Sequence, residues 1–134
     1  MPCEAFNIVL DDKSGGDDYH AVYLYDSGHR YSAQRIPRGQ GLSGKVISNG
    51  ETLFIHDNHQ SNVPAVHYGT PNSVRSILAV PLRKNNVTIG MVTVQSYQPN
   101  VYNERHRVLL ETLAAQVTTV IENARLFEAE QKQH

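Results

Sequence analysis

Few residues of this chain could do chemistry, and short stretches hold most of them. Gly39-Gln40-Gly41-Leu42-Ser43-Gly44-Lys45 has the glycine spacing of a phosphate cradle, in which backbone N–H groups meet an anion at a helix start. It fits a dinucleotide fingerprint, and nearly fits a P-loop, except that Val46 stands where a magnesium-holding hydroxyl is needed. Either motif also requires an apolar parallel strand immediately before it. Residues 32–38 (SAQRIPR) are polar and contain Pro37, so the stretch reads as a structural turn leading into a short helix. His56-Asp57-x-His59 sets two imidazoles near a carboxylate, but two or three donors in a loop do not define a metal site. Ser43, Ser76 and Ser96 have no base and orienting acid at a recognisable spacing. Cys3 is the one cysteine, which excludes an intramolecular disulfide or a cysteine metal cluster. No enzyme and no metal site are expected.

Composition narrows the field further. At 134 residues the chain is most simply one domain, large enough for a core without staples. Its formal net charge of −1 gives no global field favouring nucleic acid. No apolar run approaches the length of a membrane span. Glu4 and the lack of a basic start argue against a secretory signal, so a cytoplasmic protein or a piece of one is expected. Gly15-Gly16-Asp17-Asp18 has the letters of a diguanylate cyclase signature without that enzyme's surroundings, and reads as a solvated hairpin turn.

The elements that would position these residues follow from periodicity. Residues 4–10 alternate, with Phe6, Ile8 and Leu10 on one face and Ala5, Asn7 and Val9 on the other. A second strand is expected at 19–25 and a shorter third at 31–36. A short helix at 43–48 is stopped by Asn49-Gly50, and a strand follows at 52–57. Residues 58–76 read as a long loop, of the kind that is commonly functional. Residues 76–95 form the strongest signal, two apolar β-branched arms around Arg83-Lys84-Asn85-Asn86, where adjacent asparagines tolerate the positive φ of a primed turn. Pro81 implies a bulge or an unpaired position, and Gly90 the close approach of another element, expected to be the final helix. That helix is capped by Asn103 and runs to about residue 131, with an apolar stripe of Leu110, Leu113, Val117, Val120, Ile121, Ala124 and Phe127. Roughly 28 residues would span about 42 Å, so its end should project.

Taken in order, these pieces resemble the GAF domain family. The matching residues are Gly41-Leu-Ser-Gly44-Lys-Val-Ile-Ser-Asn-Gly50 followed by Leu53-Phe-Ile-His-Asp57, then Ser76-Ile-Leu-Ala-Val-Pro81-Leu82, then Ile89-Gly90 with Val92-x-Val94. Glu104 through Leu113-Ala-Ala and Ile121-Glu-Asn-Ala124-Arg-Leu126 complete the set. The resemblance implies an α+β fold: a central antiparallel sheet of five or six strands, helices on one face, and a loop-covered pocket on the other. It implies one such domain over residues 1–129, with residues 122–134 as a projecting helix end that could lead to an output domain.

It also implies a sensory role beside an output module such as a histidine kinase, with a small-molecule ligand and a homodimer formed through terminal helices. On that expectation Asn7, Tyr23, Tyr25 and His56 lie on the pocket face, and Asp57, His67, Tyr68, Arg75 and Ser76 belong to the lid and its rim. Val117, Ile121, Ala124 and Phe127 would form the dimer and signalling seam. Cys3 lies at the start of the first strand, so covalent bilin attachment is not expected, and the several cysteines of the family's methionine sulfoxide reductases are missing. Haem ligation by a histidine such as His67 is set aside, and the ligand stays unnamed. The competing reading is a structural dimerisation module whose pocket is closed.

Overall fold

A computed structural model of the chain describes residues 3–11, 18–37, 41–57 and 74–132. Seven strands and two helices are present among them: β1 (Ala5–Leu10), β2 (Asp18–Asp26), β3 (His29–Tyr31), β4 (Gln34–Pro37), α1 (Gly41–Asn49), β5 (Leu53–Ile55), β6 (Ser76–Lys84), β7 (Val87–Ser96) and α2 (Glu104–Lys132). The strands form one sheet in the order β3-β2-β1-β7-β6-β5, with β4 also pairing β2, and the pairings are antiparallel. The expected α+β architecture is thus present. The single short strand expected at 31–36 is two strands, which accounts for the larger count.

Local chemistry sets the turns. Asn85 and Asn86 have φ of 52° and 68°, and Ser27 and Gly28 have 51° and 87°, the left-handed pairs that a tight hairpin needs. Gly50, at φ 67°, ends α1 and donates its N–H to Val46 O at 2.9 Å. Asn103 Oδ1 accepts the N–H groups of Arg105 and His106 at 3.0 and 3.2 Å, capping α2 as expected. The register shift expected near Pro81 lies between Leu82 and Arg83. Gly90 corrects an expectation: the element against it is β1 and not the helix. A Cβ there would stand 2.4 Å from Val9 O and 3.2 Å from Leu10 Cα.

The sheet has two differently packed faces. On one, Leu78, Val80, Leu82, Val92 and Val94 pack with Leu110 and Ala114 of α2, and with Phe6, Ile8, Val117 and Ile121 at the margin. On the other, Val9, Leu24, Ile77, Ala79 and Met91 pack with Leu42, Val46 and Ile47 of α1. The short helix therefore covers the face opposite the long one. Lys84 Nζ meets Glu122 Oε2 at 3.1 Å, tying the β6–β7 hairpin to α2 just past Ile121. No described helix is long and apolar enough to cross a membrane.

Candidate functional site

The two central strands, β1 and β7, carry polar side chains into the interior of the α1 face. Asn7 on β1 stands opposite Thr93 on β7, with Leu24 beyond Asn7 and Ala79 beyond Thr93. Two residues along β7 comes Gln95, opposite Ala5, whose other neighbour is Asp26. Asn7, Thr93 and Gln95 are 7%, 0% and 2% exposed, and Asp26 is buried as well. Asp26 accepts hydrogen bonds from the Ser27 hydroxyl at 2.8 Å and from the Tyr97 phenol. Gln95 Nε2 donates to Thr93 Oγ1 at 3.3 Å, while Asn7 Oδ1 and Gln95 Oε1 have no partner. A buried amide oxygen left unpaired costs about 1–3 kcal/mol, so this polar row is poor core chemistry and good ligand-floor chemistry.

The ends of segment 58–73 are joined at the rim. Arg75 Nε and Nη2 donate to Asp57 Oδ1 and Oδ2 at 2.7 and 2.9 Å, a bidentate pair. That hydrogen bonding raises the guanidinium pKa, against a smaller opposing contribution from desolvation. Ser76 is fully buried, and its hydroxyl lies 2.6 Å from Gln98 O, 3.1 Å from His56 O and 3.4 Å from the Val101 N–H. It latches the exit of β5 and the connector after β7 onto the start of β6, so its oxygen is engaged by main chain.

The structure sorts the expected site residues unevenly. Asn7 lies on the α1 face, and Asp57 and Arg75 come together at the rim. Tyr23 and Tyr25 pair with Ile8 and Phe6, which places them on the α2 face, away from Asn7. Tyr23 packs edge-on against Phe6 and under the Arg30 guanidinium, 4.7 Å from the ring centre. His56 is exposed and stacks on Phe54, another α2-face residue. The reason is register: a strand's alternate residues share a face, and the Ile8/Val9 shift moves β2 by one position against β1. His67 and Tyr68 lie outside the described residues, as do His59 and the Gly15-Gly16 turn.

In the expected helix seam, Val117 and Ile121 face the sheet, Ala124 is exposed, and the side chain of Phe127 lies outside the described set. The glycine run at 39–45 leads into α1 from Gly41, two residues earlier than expected. Thr93, Gln95, Asp26 and Tyr97 were not singled out from the sequence. The signal for two of them was there: Thr93 and Gln95 alternate with Val92 and Val94, and a glutamine inside a β-branched strand needs a reason.

Comparison with known proteins places this geometry. The family model for the GAF domain matches residues 2–122. The chain belongs to the GAF domain family. Among solved structures, the GAF domain of a phosphoenolpyruvate-protein phosphotransferase from Coxiella burnetii matches with a TM-score of 0.71 at 18% identity, over 96% of this chain and 77% of that one. Free methionine-R-sulfoxide reductase from Neisseria meningitidis, in complex with its substrate, matches with a TM-score of 0.67 at 23% identity, over 92% and 70%. The type II free methionine-R-sulfoxide reductase from Thermoplasma acidophilum matches with a TM-score of 0.71 at 16% identity, over 90% and 80%.

At these identities the likeness is one of fold, in a family of regulatory and sensory domains. It nonetheless corrects one expectation. This GAF fold also carries enzymes, the free methionine-R-sulfoxide reductases, so the chain cannot be set down as a non-enzyme. That expectation rested on the lack of a nucleophile–base pair, a metal cluster or several cysteines along the sequence, whereas catalytic partners need only meet in space.

Proposed function

We propose that this GAF domain is a sensory module that binds a small molecule on the α1 face of its sheet and passes occupancy to α2. The observation that carries the reading is the buried polar row of Asn7, Thr93 and Gln95, with Asp26 beyond Ala5, among the apolar residues of the α1 face. The Asp57–Arg75 pair joins the two residues that bracket segment 58–73, and the expected lid residues His67 and Tyr68 lie outside the described set.

Relay follows from the sheet being one layer thick. Strands β6 and β7 present Ile77, Ala79, Thr93 and Gln95 to the ligand side, and Leu78, Val80, Val92 and Val94 to α2. A ligand that binds two arrangements of β6–β7 with different affinity biases the seat of α2. The helix then hands that bias to an output domain of the signal-transduction type, a histidine kinase being the example. Native mass spectrometry of freshly purified protein, with thermal shift against nucleotides, tetrapyrroles and small acids, tests the reading. A retained molecule or a raised melting temperature is expected, and their joint failure would sink it. An absorption spectrum covers haem in the same sample.

A second reading, dimerisation through α2, is favoured by a different observation. Leu109, Leu113 and Val120 are 55%, 38% and 67% exposed, and Leu113 and Val120 border an apolar groove between α2 and Ile8, Leu10 and Val22 of the sheet. Their spacing, with Gln116 between, alternates four and three residues, the spacing of a helix–helix seam. This stripe replaces Val117 and Ile121 as the candidate seam.

A further inference from the structure

The exposed side of α2 has the composition of a buried one. From Val108 to Leu126 every exposed side chain is uncharged, while the charged ones, Glu111, Glu122 and Arg125, are half-buried. They are occupied on another flank: Glu111 accepts hydrogen bonds from Thr52 and Arg107, and Glu122 from Lys84 and Arg125. A solvated helix shows the reverse pattern, with its charges on the side away from the core. The sheet is unfinished in the same place. α2 is seated on β6 and β7, and among the described residues no helix is seated on β1 and β2 on this face. There Phe6, Ile8, Leu10, Tyr23 and Tyr25 are half-buried and Val22 is 38% exposed. Between helix and bare strands runs a groove of about 460 Å³, walled by Leu113, Val117 and Val120 and by Ile8, Leu10 and Val22, with Gln116 its one polar side chain.

Resting on the dimerisation reading above, we propose that α2 of a second copy fills this groove, so that each helix covers the bare half of the other copy's sheet. The occupant is a helix because the groove wall has the spacing of a helix pair: Leu109, Leu113, Gln116 and Val120 recur at four, three and four residues. The width fits as well. Packed helices lie about 8–10 Å apart and two strands span about 10 Å, so a helix beside α2 comes to rest on β1 and β2. The occupant is a second copy because of what α2 leaves free beyond the seam. Val108 and Leu126 are 56% and 58% exposed, and Thr112, Ala115 and Thr119 share their side of the helix, small enough for a sheet to approach closely. With no exposed charge from Val108 to Leu126, the helix offers nothing to a partner of opposite sign. The hydrocarbon it matches is the bare sheet half of its own kind. Symmetry then fixes direction. If each helix lies between the two sheets, the sheets stand on opposite sides of the helix pair, and the two-fold axis runs along the helices. The helices are therefore parallel, and Leu113, Gln116 and Val120 each meet their own counterpart.

Sedimentation of the full chain tests this, with Cys3→Ser as the background for crosslinking. The parent is expected to be a dimer, and Val120→Cys to link to itself under mild oxidation. Two positions outside the seam discriminate. Val22 faces the groove from the sheet and is the unpaired residue of the β1–β2 bulge. Thr119 is exposed on α2, on the side away from its own core, so changing it leaves the fold alone. Val22→Asp and Thr119→Lys should each raise the dimer dissociation constant by about tenfold or more, because each strands a charge against hydrocarbon. Far-UV circular dichroism should match the parent in both, and if Val22→Asp loses that spectrum, Thr119→Lys decides. A dimer that survives Thr119→Lys and is broken by Val120→Asp would mean that the helices pair away from the sheet. The inference then falls, and dimerisation through α2 stands. A dimer in which Val120→Cys does not link to itself has antiparallel helices and overturns the inference in the same way. A parent that is monomeric at every concentration removes the inference and the dimerisation reading together.

Discussion

The two faces of the sheet are built from alternate residues of the same strands, yet they are finished differently. The α2 face is closed mainly by hydrocarbon: Leu78, Val80, Val92 and Val94 meet Leu110 and Ala114, and the buried Thr118 hydroxyl on the helix is paired, donating to Ala114 O at 2.8 Å. There Tyr102 is buried, and burial, with Cys3 and Glu4 adding, pushes its phenol pKa well above the ordinary range. Glu4 keeps one carboxylate oxygen unpaired at the margin of that face. The α1 face has amides and a hydroxyl at its centre, on side chains that are buried, where packing alone would favour leucine. A sheet under selection for stability alone would have two faces like the first. The contrast teaches that the α2 face anchors the fold and the α1 face is shaped for something else.

Substitutions on each side can break that contrast. The largest effect should come from Gly90→Val, on the strand both faces share. Its side chain would drive into β1 main chain at Val9 O, which cannot move aside as a flexible side chain would. A loss of more than about 3 kcal/mol, or failure to fold, is expected in thermal melts. An unaltered melting temperature would show that β1 does not lie against Gly90. Next comes Leu110→Ala on the α2 face, where Leu110 is fully buried. It should cost about 3 kcal/mol by transfer and cavity terms in urea unfolding. Gln95→Met on the other face removes an unpaired buried amide and should cost far less; if the two cost the same, the faces would not differ in kind.

Ser76→Ala should fall between these and a surface change. One hydroxyl serves Gln98 O, His56 O and the Val101 N–H, so its removal strands buried main-chain groups and should cost about 2 kcal/mol. Hydrogen exchange should rise first at Arg75 and Val101, whose N–H groups close this corner. Exchange unchanged there would mean that the corner is held without Ser76.

How much of this was legible in the sequence depends on range. The asparagine turn at 85–86, the glycine stop at 50 and the Asn103 cap were readable because a backbone conformation and its residue sit at the same place in the chain. The sheet and the long helix were readable from periodicity. What was not readable needed partners far apart in sequence. Tyr23 and Tyr25 were assigned to the pocket by alternation within β2, but which alternate set faces which helix depends on its pairing with β1, where a single shift reverses the answer. Gly90 announced a close neighbour without naming it. Gln95 was hidden because its unusual feature, an unpaired buried oxygen, exists only once β1 and β6 flank it.

The smallest effect on stability should come from the outer stripe of α2, and it sharpens the comparison in another way. Val117 and Ile121 belong to the core-facing side of the helix, so changing them would confound folding with association. Val120, 67% exposed, touches the question of association alone. Val120→Asp should leave unfolding free energy within about 0.5 kcal/mol of the parent, as surface changes do. If α2 pairs with a second copy along Leu109, Leu113 and Val120, the same variant should shift sedimentation from dimer to monomer, because a carboxylate in an apolar seam is left unpaired. A dimer that survives Val120→Asp would move the seam off this stripe. A parent protein that is monomeric at every concentration would leave the exposed leucines without a self-partner, and α2 would then serve the domain only as the lid of its hydrocarbon face.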